Sequence, residues 1–137
     1  MLRVDRSLIE IIEGAAAACW PEECCGLLIG RVEGDVHVVE RVQAAANVSA
    51  DDRRRRYEID PQTAFEALRR SRAGGARVVG FYHSHTDGSL EPSAHDVETA
   101  WPLKSYLIVA VAEGEVLGVG SWRLSLDGKS MLPERID

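Results

Sequence analysis

Cysteine is scarce in this chain and badly placed for cross-linking. The three cysteines, Cys19, Cys24 and Cys25, are odd in number and clustered, two of them adjacent. That is a poor disulfide framework and suits a reducing cytoplasm. Positive charge is short as well: the formal net charge is −6 and the pI about 5.2, which removes any global case for nucleic acid. No uninterrupted apolar run is long enough to span a bilayer. The opening Met1-Leu2-Arg3-Val4-Asp5-Arg6 is interrupted by charge too early for a secretory signal. A cytoplasmic protein with neither membrane nor nucleic-acid partner is the expectation. Repeats, linkers and low-complexity tracts are missing too, apart from the run Arg53–Arg56.

What is present is enough for one core. The chain has 137 residues, 45% of them apolar, so residues 1–137 are expected to form a single domain. Charge is uneven along it. Residues 53–77 hold eight of the sixteen basic residues against three acids, Glu58, Asp60 and Glu66. Most such runs are solvated loops; the sharper reading of Arg53–Arg56 is a docking patch for an acidic protein partner.

Periodicity and punctuation give the elements. Ser7 is placed to cap a helix running to about Cys19, with Leu8, Ile11, Ile12 and Ala15 on one face, and Pro21 ends it. Residues 25–30 read as a buried strand, and Glu33-Gly34-Asp35 turns it into a second strand over 36–42. Residues 43–54 read as a mobile loop and 56–59 as a short strand. Asp60-Pro61 starts a helix that ends at Gly74-Gly75. A strand over 78–85, a helix over 93–101 stopped by Pro102, and a hairpin of strands 105–112 and 116–124 complete the order. The pattern is α/β, with one largely antiparallel sheet.

Chemistry concentrates in His83-Ser84-His85 and Ser93-Ala94-His95-Asp96. Alternate residues of a strand share a face, so His83 and His85 can offer both imidazoles to one metal while Ser84 points away. Asp96 falls in the first turn of the next helix. Two imidazoles and a carboxylate leave a fourth tetrahedral position open, as in catalytic rather than structural zinc sites. His95 competes with Asp96 as third ligand; adjacent helix positions point about 100° apart, so the two do not serve together. Ser93-x-x-Asp96 is also a capping box, and one Asp96 oxygen is not expected both to cap fully and to ligate. A base that is not a ligand is still needed. Glu23, just before the first buried strand, is one candidate and Glu22 another. Ser93 is placed to donate a hydrogen bond to an oxyanion. His37 reads as structural or surface, Cys24 and Cys25 as small core residues, and Trp101 and Trp122 as packing.

Taken together, Glu23, His83-Ser84-His85, Ser93 and Asp96 resemble the JAMM, or MPN-plus, zinc metallopeptidase family, whose pattern is an upstream glutamate, H-x-H, seven residues, then S-x-x-D. The resemblance extends through residues 21–30, 56–61 and 80–82, so it spans roughly 7–125. It implies a curved, mostly antiparallel sheet flanked by helices, related to the cytidine-deaminase architecture. It implies one Zn2+ per chain on His83, His85 and Asp96, with Glu23 rather than Glu22 as base and Ser93 assisting. Thr86 stands where the family commonly has proline, which leaves the following loop freer. Long insertions that grip ubiquitin chains are absent, so the chain resembles the small bacterial branch. That branch includes enzymes that cleave after the terminal glycines of ubiquitin-like sulfur-carrier proteins. Such a carrier is the implied partner, its tail expected to lie along the edge of strand 78–85. The alternatives are a non-catalytic scaffold of the same family and a zinc hydrolase of small amides. A nucleobase deaminase is a weak rival, since H-x-E and C-x-x-C are both absent.

Overall fold

The structure, a computed structural model, describes residues 1–72 and 75–137. Its elements are β1 (Leu2–Arg3), α1 (Arg6–Cys19), β2 (Cys25–Glu33), β3 (Val36–Ala45), α2 (Pro61–Arg72), β4 (Arg77–His85), α3 (Ala94–Thr99), β5 (Ser105–Ala112), β6 (Glu115–Leu124) and β7 (Met131–Glu134). The seven strands make one sheet in the order β1-β3-β2-β4-β5-β6-β7. Four of the six pairings are antiparallel; β1/β3 and β4/β5 are parallel. The sheet is open, but Leu2 and Asp137 bond across its two ends, with Leu2 bridged to Ile136. Among the described residues no helix is long and apolar enough to cross a membrane.

Each face of the sheet carries a helix. Leu28, Val79, Tyr82, Leu107, Val109 and Val111 pack under α1, while Leu27, Ile29 and Val78 pack against Ala67 of α2. Alternation along the strands produces this split. A fully buried aliphatic such as Leu107 contributes about 1.5–3 kcal/mol. Gly80 is required where β4 passes β5, because a Cβ there would run into the Ser105 carbonyl. That close approach sets the parallel register that carries His83 and His85 to the end of the sheet.

Several expectations need correction. Asp5, not Ser7, is the N-cap of α1, and the buried face is Ile9, Ile12 and Ala16, with Ile11 58% exposed. Both faces have helical spacing; the strands beneath choose between them. Residues 56–59 form no strand, only a bridge from Ile59 to Asn47, and residues 43–45 extend β3. Helix α2 runs to Arg72, and Gly74 of its expected terminus lies outside the described residues. Strand β4 has no free edge, since β2 and β5 occupy both sides of it. A peptide tail therefore cannot add as a strand beside 78–85, because the ladder already uses those backbone groups.

Candidate active site

The local sequence explains how the site residues meet. On β4, Tyr82 enters the α1 core and Ser84 bonds to Cys24, just before β2, which turns Phe81, His83 and His85 to the opposite face. Helix α3 begins where Ser93 Oγ accepts from the Asp96 N–H at 3.0 Å and Asp96 Oδ2 accepts from the Ser93 N–H at 2.9 Å. This capping box turns the Asp96 carboxylate back towards β4.

Three atoms converge there. His83 Nε2 and His85 Nε2 lie 3.1 Å apart, and they sit 3.2 and 3.0 Å from Asp96 Oδ2. All three residues are buried. His85 Nδ1 lies 3.0 Å from the Ser89 carbonyl, which places a proton on Nδ1 and leaves the Nε2 lone pair facing the centre. Tyr57 stacks on His83 with ring centroids 4.3 Å apart and fixes its plane. The same Asp96 oxygen thus caps α3 and faces both imidazoles, against the expectation that the two roles compete; a carboxylate oxygen has two lone pairs to offer. His95 instead lines a neighbouring apolar cavity of about 490 Å³.

The electrostatics match the geometry. Burial holds His83 below the usual imidazole range despite its bond to Asp96. At His85 burial pulls the same way but the Asp96 bond and charge outweigh it, so its proton affinity is raised. Burial would raise Asp96, yet the bonds from both histidines hold it well below the carboxylate range. One proton cannot satisfy three acceptor atoms so close together, whereas a divalent cation between them can. The two-nitrogen, one-oxygen donor set fits zinc.

Glu23 and His85 line one cleft; Glu23 is buried, whereas Glu22 is exposed. Desolvation pushes the Glu23 carboxyl up to about 8, with His85 pulling in the opposite direction. Ser93 lines the cleft too; its oxygen accepts from Asp96, so its proton remains free to donate. Burial pushes Cys24 up to about 11 and Cys25 to about 12, which keeps both thiols neutral and outside the metal group.

Three contributors escape sequence reasoning. Asn47 Nδ2 donates to the carbonyls of Glu23 and Arg56 at 3.1 and 3.0 Å, and its Oδ1 accepts from the Ser49 and Glu58 amides. It locks the segment read as a mobile loop beside Glu23. Ser84 ties β4 to Cys24, and Tyr57 supports His83. Tyr57 lies within the Arg56–Pro61 stretch of the resemblance and Ser84 within His83-Ser84-His85, whereas Asn47 carries no signal.

An open, mostly antiparallel sheet flanked by helices, with a buried His-His-Asp group at the end of its central strand, defines the JAB-type class of hydrolase domain. The chain belongs to the family of prokaryotic homologs of the JAB domain, whose model matches residues 5–125. It is 40% identical over 105 residues to a desampylase of Haloferax volcanii, covering 76% of this chain and 73% of that one. It is 33% identical over 100 residues to a Thermus thermophilus protein described as "Probable TtuB-protein conjugate cleaving protease". That match covers 73% of this chain and 64% of the relative, so less than two thirds of its length. A solution structure of a protein from Desulfitobacterium hafniense superposes with a TM-score of 0.84 at 30% identity, covering 100% of this chain and 92% of that one.

Proposed function

We propose that this chain is a zinc-dependent peptidase or isopeptidase. It hydrolyses the amide bond after the C-terminal glycines of a ubiquitin-like sulfur-carrier protein, with residues 1–137 as the catalytic domain. The observation that carries the reading is the convergence of His83, His85 and Asp96, with His85 lining the same cleft as Glu23. The relatives' names, a desampylase and a TtuB-protein conjugate cleaving protease, support a protein conjugate as substrate. Three free thiols are in keeping with a reducing cytoplasm.

His83, His85 and Asp96 would hold one zinc ion. When bound, zinc supplies acidification of water towards a pKa of about 7 and Lewis-acid polarisation of the scissile carbonyl. Glu23 is the proton carrier: its carboxylate takes a proton from the attacking water and returns it to the leaving nitrogen. Desolvation raises its proton affinity and a bound cation would lower it, so that one group can serve as base and then as acid. The Ser93 hydroxyl bonds to the oxygen that gains charge in the transition state.

The test is cleavage by the zinc-loaded chain of a ubiquitin-like carrier extended beyond its Gly-Gly terminus, followed by mass spectrometry. Release of the extension is expected. An uncut carrier in the presence of fully loaded protein would overturn the reading.

A further inference from the structure

The cleft that holds Glu23 has a volume of about 580 Å³, and Arg54, Arg55 and Arg56 form one side of it. Their backbone is fixed. The Arg54 amide bonds to Asp52 Oδ1, the Arg55 and Arg56 amides bond to the Asp52 carbonyl, and Asn47 holds the Arg56 carbonyl. Thr86 Oγ1, from the loop after β4, donates to the Arg54 carbonyl at 2.6 Å. Among the described residues the Arg54 and Arg55 guanidinium groups bond to nothing, and that of Arg56 reaches only the Arg55 carbonyl, at 3.3 Å. Among the described residues none of these three arginines has a carboxylate within 4.0 Å, whereas Arg3, Arg31, Arg123 and Arg135 each have one. The cleft's own acids, Glu23 and, on the loop after β4, Asp87 and Glu91, form no ion pair with them, although the Arg56 charge is felt at Glu23.

We propose that Arg54, Arg55 and Arg56 are a carboxylate-binding wall that favours substrates with an anion on the leaving side of the scissile amide. The inference rests on the proposed function, because glycines on the carrier side bring no charge to the bond. An anion carried next to the scissile bond must then belong to the leaving group. Guanidinium groups suit a carboxylate because their planar N–H pairs match its two oxygens. Two sources present this chemistry: the α-carboxylate of a single released amino acid, and an acidic side chain flanking the acceptor lysine of a protein.

Binding is the cleaner readout, as it does not need turnover. Zinc-loaded, isotope-labelled protein is titrated by NMR with acetyl-Gly-Gly-Ala and with the same peptide as its C-terminal amide. A second pair carries acetyl-Gly-Gly on the Nε of a lysine flanked by Glu or by Gln. The anionic member of at least one pair is expected to bind about tenfold more tightly, as charge-assisted bonds allow. The pair that shows the preference identifies the source. Replacing all three arginines with Gln is expected to abolish the preference while leaving affinity for the uncharged member unchanged. Equal affinities within both pairs, no saturable binding of any peptide at millimolar concentration, or a preference that survives the triple replacement would each overturn the inference. A preference retained by protein that cleaves no conjugate would sink the proposed function and leave the wall standing.

Discussion

Cys24 and Ser84 exchange a reciprocal pair of hydrogen bonds: the Cys24 amide donates to Ser84 Oγ at 2.8 Å, and the Ser84 amide donates to the Cys24 carbonyl at 3.1 Å. Ser84 stands between the two histidines and Cys24 directly follows Glu23. The pair therefore fixes the distance between the candidate base and the candidate ligands. Ser84→Ala leaves a buried amide without its acceptor, which costs about 1–3 kcal/mol. A lowered thermal midpoint is expected, with kcat reduced and bound zinc retained. A variant with wild-type stability and turnover would show that the link does nothing for the site.

Metal removal gives the next expectation. The protein should carry about one zinc per chain, the content of a single three-ligand site. Ala at His83, His85 or Asp96 should abolish tight binding and activity together. Because a cation that binds only the folded state stabilises it, chelation should lower the thermal midpoint of the wild type and leave these variants unmoved. Elemental analysis decides the third ligand: full zinc in Asp96→Ala with loss in His95→Ala would assign the role to His95.

Base and ligand separate at residue 23. Glu23→Gln keeps the size of the side chain but cannot take up a proton at neutral pH. The variant should hold zinc and fold, yet lose activity by a factor on the order of 10² or more. Ser93→Ala should be milder and lower kcat more than it raises KM, since its bond strengthens in the transition state. Activity surviving in Glu23→Gln and vanishing in Glu22→Gln would move the base by one residue.

Much of this arrangement is legible in the residues alone, for identifiable reasons. Strand β5 is a continuous apolar run between turn signals, and its observed bounds, Ser105–Ala112, are those the pattern gives. The H-x-H spacing works because strand parity is local and needs no partner to be read. What escapes is non-local. Strand β1 has two residues and β7 four, one of them Pro133, so neither carries a period; each exists because a neighbouring strand pairs with it. Asn47 looks like any loop asparagine until its four bonds are counted. The tail is expected beside β4 because Val78–Phe81 is long enough to guide an extended peptide, and nothing in that segment announces that β2 and β5 flank the strand.

His37 provides a pH-dependent test away from the site. It is 4% exposed, with Nδ1 2.7 Å from Ser105 Oγ, which in turn donates to Glu134. Burial, reinforced by the Arg123 charge, pushes its pKa from 6.5 down to about 4. Between those values the unfolded chain binds more protons than the folded one. Stability is therefore complete above pH 6.5 and falls as the pH drops towards 4, by at most about 1.4 kcal/mol per pH unit for this one proton. His37→Gln should show a shallower decline over that window in chemical denaturation. Parallel curves for variant and wild type would mean that His37 already carries its proton when folded.

Substrate recognition is the last expectation. The two walls of the cleft are pinned together where Thr86 bonds to the Arg54 carbonyl, and Pro92 and Ser93 continue the far wall. With both edges of β4 occupied, an extended tail has to enter between these walls and cross the face that carries His83 and His85. Glycine suits that route, because without a Cβ its backbone can come close to the reacting groups. A carrier ending Gly-Gly-X should be cut after the second glycine, and a Gly→Val change there should block cleavage while leaving binding of the folded carrier largely intact. Free peptides of the same tail should have a much lower kcat/KM than the intact carrier, since they lose the contacts of its globular body. Mass spectrometry of the products and a competition assay with uncut carrier measure the two effects separately. Should peptides be hydrolysed as fast as the carrier, the chain is a hydrolase of small amides and the folded partner plays no part in selection.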